Sequence, residues 1–187
     1  MIEIKKLTPD LIDVFTAFFE HIEYDHAPSW KSCYCHYYHS SCSFDEWKTR
    51  SSEQNKLASI QAIYDGMMTG FLAFQDHQCI GWANINHAGT YPRLAEELKP
   101  YIQNRNIALS ICFVIHPDFR NQGVARALLD HAIEYYRYKG FDGMLALPID
   151  KDFKKELHYR GTMHMYEERG YEKIGENKDT KILYKKL

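Results

Sequence analysis

The stretch L-S-I-C-F-V-I-H-P-D-F-R-N-Q-G-V-A-R-A-L-L-D-H-A-I-E-Y-Y-R, residues 109–137, decides how the chain is read. Leu109 to Ile115 is short, apolar and β-branched, which is the composition of a buried strand. His116-Pro117-Asp118 ends it, because proline cannot donate to a central ladder. Val124, Leu128, Ala132, Ile133 and Tyr136 then recur at three-to-four spacing and predict a helix with one apolar face. A strand, a tight turn with one glycine and a helix start together make an anion site. The first helical turn has N–H donors without partners, and the helix dipole adds partial positive charge there. Gly123 lacks a Cβ and lets a phosphate approach the backbone. No Gly-Lys-Ser/Thr follows, as a P-loop requires, and the G-x-G-x-x-G spacing of a dinucleotide fold is absent.

The pattern Arg120-x-x-Gly123-x-Ala125 resembles the acetyl-CoA motif of the GCN5-related N-acetyltransferase (GNAT) superfamily, Arg/Gln-x-x-Gly-x-Gly/Ala. A second segment, T-M-H-M-Y-E-E-R-G-Y-E-K-I-G at residues 162–175, is similar to the family's helix carrying Tyr-Glu-x-x-Gly-Phe/Tyr. Gly170 stands where a helix C-terminal glycine is expected. Gln78-Cys79-Ile80-Gly81-Trp82, after the turn Asp76-His77, resembles the family's central hairpin, where Ile/Val-Gly begins the third strand. The matches come in family order and cover residues 66–187; the first sixty-five residues match loosely. The resemblance implies one α/β domain over residues 1–187, with a mixed, splayed central sheet flanked by helices.

Composition agrees with a single domain, since 187 residues can bury a sizeable core. Net charge is −2 with no basic run, which argues against nucleic acid as a partner. The apolar runs are far shorter than the roughly 20 residues that span a bilayer, so no membrane partner is expected. Met1-Ile2-Glu3-Ile4-Lys5-Lys6 has no apolar core or cleavage site of a signal peptide, and the expectation is a cytoplasmic protein. Five cysteines, an odd number, fit reduced thiols better than a disulfide framework. Fourteen tyrosines suggest aromatic walls around a cleft as well as core.

Along the chain, Ile2 to Leu7 reads as a first strand and Thr8-Pro9 opens a helix. Leu11, Val14, Phe15, Phe18, Phe19 and Ile22 give that helix an apolar face. Residues 24–42 are irregular, and Ser43 with Glu46 forms a capping box for a helix expected to run to about Tyr64. Strands are expected at residues 71–74, 79–86, 107–115, 143–147 and 181–184, with a short helix or connector at residues 91–98. Residues 149–160 read as a charged loop or weak helix.

The resemblance implies acetyl-CoA as co-substrate and an amine acceptor as the second partner, with homodimer formation open. The pyrophosphate would lie on the N–H groups of Gln122, Gly123, Val124, Ala125 and Arg126, next to Asn121, with Arg120 and Arg126 adding charge-assisted bonds. The pantetheine arm would lie along Phe113, Val114 and Ile115, pairing with their backbone. Tyr166 occupies the family's leaving-group acid position. A phenol with pKa of about 10 is protonated at neutral pH and can supply that proton. The general base is open among His87, His116, His158, His164 and Asp150. Tyr34, Trp47 and Arg93 are acceptor-site candidates; Arg93 could bind a carboxylate bidentately.

Cys33, Cys35, His36, His39 and Cys42 put five metal-ligand side chains into ten residues. Their spacing lacks a second C-x-x-C pair, so the segment is read as an aromatic wall over the acceptor pocket, with no metal expected. Two other function classes stay open: a non-catalytic acyl-CoA-binding sensor and a zinc-stabilised interaction protein.

Overall fold

The computed structural model describes residues 1–22, 28–149 and 155–187. Seven strands, β1 (Glu3–Lys6), β2 (Phe71–Gln75), β3 (Gln78–His87), β4 (Ile107–Ile115), β5 (Gly143–Ala146), β6 (Glu172–Asn177) and β7 (Thr180–Lys186), form one sheet in the order β1-β2-β3-β4-β5-β7-β6. The β2–β3 hairpin closes through Asp76 and His77, at φ +50° and +68°. Two successive left-handed residues match the twist of antiparallel strands. β4 and β5 run parallel, which requires a crossover. Helix α5 (Val124–Tyr138) supplies it; the other helices, α1 (Ile12–His21), α2 (Phe44–Thr49), α3 (Ser52–Tyr64), α4 (Ala95–Ile102) and α6 (Met163–Glu167), lie around the sheet.

Two features of β4 position the site. It pairs with β5 only from Ile107 to Ser110, then continues to Ile115 beyond the end of β5. Its register with β3 jumps between Asn84↔Cys112 and Ile85↔Ser110, leaving Ile111 as the extra residue of a bulge. A bulge bends its strand and resets the alternation of side chains. Ile107, Leu109 and Ile111 belong to one core, and so do Cys112 and Val114. Ala108 and Phe113 belong to the other.

The two cores lie on opposite faces of the sheet. One contains Phe15, Phe18 and Phe19 of α1, Leu98 of α4 and residues of the irregular segment before α2. The other contains Val124, Leu128, Leu129, Ala132, Ile133 and Tyr136 of α5, together with Met165 and Tyr166 of α6. These α5 residues include all those that the periodicity assigned to its apolar face. Gly81 explains the Ile-Gly of the hairpin: a Cβ there would stand 3.0 Å from both Ile115 Cδ1 and Val124 Cγ1. The glycine lets the first turn of α5 lie directly on the sheet.

The helix expected to run from Ser43 to Tyr64 is two helices. Arg50 is extended, at φ −70° and ψ 137°, and ends α2. Ser51 then caps α3 with a capping box of its own, formed with Gln54. The Ser-x-x-Gln spacing was readable in the sequence, and it outcompetes continuation because it satisfies two N–H donors at once. The segment after Tyr91 opens as one 3-10 turn, Pro92–Leu94, before α4.

Gly81→Val is expected to overpack the contact between α5 and the sheet. Urea denaturation should show a loss of about 1–3 kcal/mol; an unchanged midpoint would mean that α5 does not rest on Gly81.

Candidate active site

A groove of about 730 Å³ runs where β4 outlasts β5, along the start of α5. Phe113, Val114, Ile115, Arg120, Asn121, Gly123, Val124, Ala125 and Arg126 all line it. Gln122 does not line it; its Nε2 donates to the Asp118 carbonyl at 2.7 Å. Gly123 is the N-cap of α5 with φ +83°, and Asn121 has φ +59°. A Cβ on Gly123 would meet nothing within 4 Å, so open space lies above the turn. The first α5 residue whose N–H bonds back is Ala127, to the Gly123 carbonyl at 2.9 Å. The N–H groups of Val124, Ala125 and Arg126 are therefore the free donors of a helix start. Among the described residues Arg126 pairs with Glu168 at 3.4 Å, and Arg120 Nε donates to the Ile115 carbonyl at 3.2 Å.

Beside the groove lies a smaller cavity of about 240 Å³, enclosed mainly by rings. Trp30, Val114 and Tyr159 line both spaces. Phe19, Tyr37, Tyr38, Phe44 and Trp47 complete the aromatic wall, with Cys33, Cys35 and Cys112 among them. No carboxylate or imidazole lines it among the described residues. Trp47 thus lines this cavity, whereas Tyr34 does not. Tyr34 is 4% exposed, and its ring packs against Phe19 at 5.6 Å in the core.

Arg93 anchors the wall from behind. Its Nε donates to the Tyr37 carbonyl at 2.7 Å and its Nη2 to the Cys42 carbonyl at 2.6 Å. Its guanidinium also lies 4.3 Å from the Tyr37 ring centre. The Cys/His segment disperses over several partners. Cys35 Sγ contacts Cys112 Sγ at 3.4 Å, and that thiol and burial together hold Cys35 well above the usual thiol range. His39 Nδ1 reaches the Thr90 carbonyl at 3.0 Å, so Nδ1 carries the proton and Nε2 accepts from Asn84 Nδ2 at 3.1 Å. Asn84 Nδ2 also donates to the Cys35 carbonyl, and Asn84 Oδ1 accepts from the Tyr91 hydroxyl at 2.8 Å. Each of these side chains is used to tie the wall to the sheet.

Tyr166 is fully buried beneath the groove. Its hydroxyl donates to the Arg160 carbonyl at 2.8 Å and accepts from Ser110 Oγ at 2.9 Å. Ser110 is the last β4 residue paired with β5, so this hydroxyl sits where the strands part. Burial pushes the phenol up, and it is protonated at neutral pH. Gly161, which lines the groove, lies over the ring; a Cβ there would be 2.9 Å from Tyr166 Cε2. Of the base candidates, His158 lines the groove. His87 accepts from the Gly89 N–H, His116 faces Asp118, and His164 faces Glu168. Asp150 lies outside the described residues.

Sequence reading missed Trp30, Tyr159 and Arg160 as site residues. The run His158-Tyr159-Arg160-Gly161, immediately before the Thr162 cap of α6, was the available signal. Its aromatic and cationic members were read only as part of a charged loop.

A model of the acetyltransferase (GNAT) family matches residues 22–171. The chain belongs to the GNAT acetyltransferases. Among solved structures, the PaiA N-acetyltransferase of Thermoplasma acidophilum, in complex with coenzyme A, is 18% identical, with a TM-score of 0.57 and coverage of 100% of this chain and 99% of that one. The Drosophila melanogaster polyamine N-acetyltransferase is 9% identical, with a TM-score of 0.60 and full coverage of both chains. A mosquito arylalkylamine N-acetyltransferase, like 5b, is 12% identical, with a TM-score of 0.58 and full coverage of both. At these identities the likeness shows the fold. No curated protein matches the chain significantly. Among the described residues of this GNAT protein, no helix is long and apolar enough to cross a membrane.

The wall carries a pH dependence. Burial holds His36 and His39 at about 4. Unfolded, both titrate near 6.5, so the unfolded chain binds the extra protons between those values. Stability should be full above about pH 6.5 and fall as pH drops toward about 4. Denaturant midpoints measured across this window should decline, and less steeply in His39→Gln. A midpoint flat with pH would contradict neutral, buried imidazoles.

Proposed function

We propose that this GNAT protein transfers the acetyl group of acetyl-CoA to the nitrogen of a small amine. The observation that carries the reading is one groove holding both the left-handed Gly123 at the start of α5 and the stretch of β4 that β5 leaves unpaired. The open space above Gly123 fits a pyrophosphate. There the N–H groups of Val124, Ala125 and Arg126 bind it, with Gly123 giving close approach, Asn121 shaping the turn and Arg120 and Arg126 adding charge. Gln122 contributes backbone only, since its side chain is turned to Asp118. Phe113 and Ile115 offer backbone groups to the pantetheine amides, with Val114 between them turned toward the aromatic cavity. When bound, acetyl-CoA supplies an activated thioester.

The aromatic cavity receives the acceptor, because it opens onto the groove through Trp30, Val114 and Tyr159. Its volume of about 240 Å³ suits a small molecule. An apolar cavity without a carboxylate favours a neutral amine over an ammonium ion. His158, in the groove, takes up the proton that the amine must lose. Tyr166 returns a proton to the departing thiolate, for which the Arg160–Gly161 backbone has to move aside. Its present commitment to the Arg160 carbonyl is the observation that favours the second reading, a non-catalytic acyl-CoA sensor.

Two variants test the cofactor site and the catalytic role in turn. Gly123→Val places a β-branched residue at φ +83° and fills the space above the turn. Calorimetry should show acetyl-CoA affinity lower by about tenfold or more, roughly 1.4 kcal/mol. Unchanged affinity in a folded variant would sink the phosphate site.

Tyr166→Phe should leave acetyl-CoA affinity intact and lower turnover by about 10²-fold, measured as CoA release with an active amine. Its melting should report a loss of about 1–3 kcal/mol from the unpaired Arg160 carbonyl. Turnover near that of the parent would remove the acid role.

A further inference from the structure

A third cavity of about 570 Å³ adjoins the aromatic one, sharing Tyr37, Tyr38 and Tyr159 with it. Two arginines, Arg93 and Arg160, line it, and among the described residues no Asp or Glu does. Arg160 is the more telling of the two. Its Nη2 donates to the Tyr38 hydroxyl at 2.6 Å, and its Nη1 reaches only the Thr180 hydroxyl at 3.3 Å and the Leu147 carbonyl at 3.4 Å. Its buried Nε has no partner among the described residues. Among the described residues no carboxylate pairs with it. A guanidinium partly shielded from water without a counter-anion is costly unless something else supplies the charge. The Tyr38 and Tyr159 hydroxyls, 2.9 Å apart, stand beside it as further polar groups. Arg93 spends Nε and Nη2 on backbone carbonyls and keeps Nη1.

We propose that this cavity binds a carboxylate, and that the acceptor is therefore an amine that also carries a carboxylate, of the amino-acid class. The inference rests on the acetyltransferase reading and narrows it. The three spaces meet at Tyr159, which lines all of them. An amine at the groove can thus place an apolar side chain among the rings while its carboxylate faces Arg160. One carboxylate would compensate Arg160, the guanidinium whose Nε is buried without a partner among the described residues. Polyamines and arylalkylamines lack that group and would leave Arg160 uncompensated.

The test uses matched pairs that differ only in the carboxylate: phenylalanine against phenethylamine, tryptophan against tryptamine, and arginine against agmatine. CoA release at saturating acetyl-CoA should give at least one acid whose KM lies about tenfold or more below that of its partner amine. Arg160→Gln should raise the KM for that acid about tenfold while acetyl-CoA affinity stays put, and Arg160→Lys should recover part of the loss. Calorimetry on the unaltered protein gives a reading that needs neither turnover nor a folded variant. The N-acetyl form of the favoured acid should bind, and the N-acetyl form of its amine partner should bind about tenfold more weakly. If no acid is acetylated, the three N-acetyl acids are compared with their amine counterparts instead. N-acetyl acids that bind while no amine releases CoA would keep the carboxylate site and remove the acetyltransferase reading. Amines acetylated as well as their acids, with no preference for the N-acetyl acids, would overturn the carboxylate site and leave that reading standing.

Discussion

Everything at the site depends on β4 leaving β5. Pairing stops at Ser110, and from there the backbone of β4 faces an open groove on that side. Buried backbone groups rarely stay unpaired, because each costs about as much as a lost hydrogen bond. An edge opened in the middle of a sheet is therefore a place for a ligand that supplies amides. The bulge at Ile111 comes one residue after the split, where the strand bends. Tyr166 and Ser110 meet at the same point and fill the apex with a hydroxyl pair.

The bulge has a second consequence for the opposite face. Strict alternation from Ile107 would turn Cys112 and Val114 toward α5. With Ile111 inserted, both side chains join the core under the aromatic wall and line the cavity there. Much of the wall, Trp30, Tyr37 and Tyr38, comes from the irregular segment before α2, and Phe44 and Trp47 come from α2 itself. That segment is held by Asn84, a fully buried side chain on β3 that bonds to the Cys35 carbonyl, His39 and Tyr91. Such a network specifies one position for a loop more sharply than apolar packing does, because each unmade bond would leave a buried polar atom. Arg93 closes the arrangement from outside by donating to the Tyr37 and Cys42 carbonyls.

The local elements around the groove at the start of α5 were legible because they are written in short-range chemistry. Pro117 ends a strand, Gly123 takes φ +83°, and the apolar positions of α5 recur at helical spacing. Each of these follows from the residue itself or from its neighbours within about two turns. Resemblance to a family joined them into an order, and the sheet follows that order. The same local logic, applied to Ser43 alone, overran the true end of α2, because the competing cap at Ser51 was passed over.

Residue types at residues 33–42 announced either a metal knot or a wall. Which of these they build depends on partners 45 to 77 residues away, such as Asn84 and Cys112. Arg160 read as one charge in a charged loop, and its partial burial against Tyr38, with no acid beside it among the described residues, sets it apart. Sequence alone determined the strand–turn–helix with its exposed N–H groups, since backbone geometry there depends on the residues in place. Tertiary structure decided the aromatic side: where β4 bulges, which rings face the groove and which partly buried cation has no counter-charge among the described residues. Those are properties of contacts between distant segments, and no local spacing encodes them.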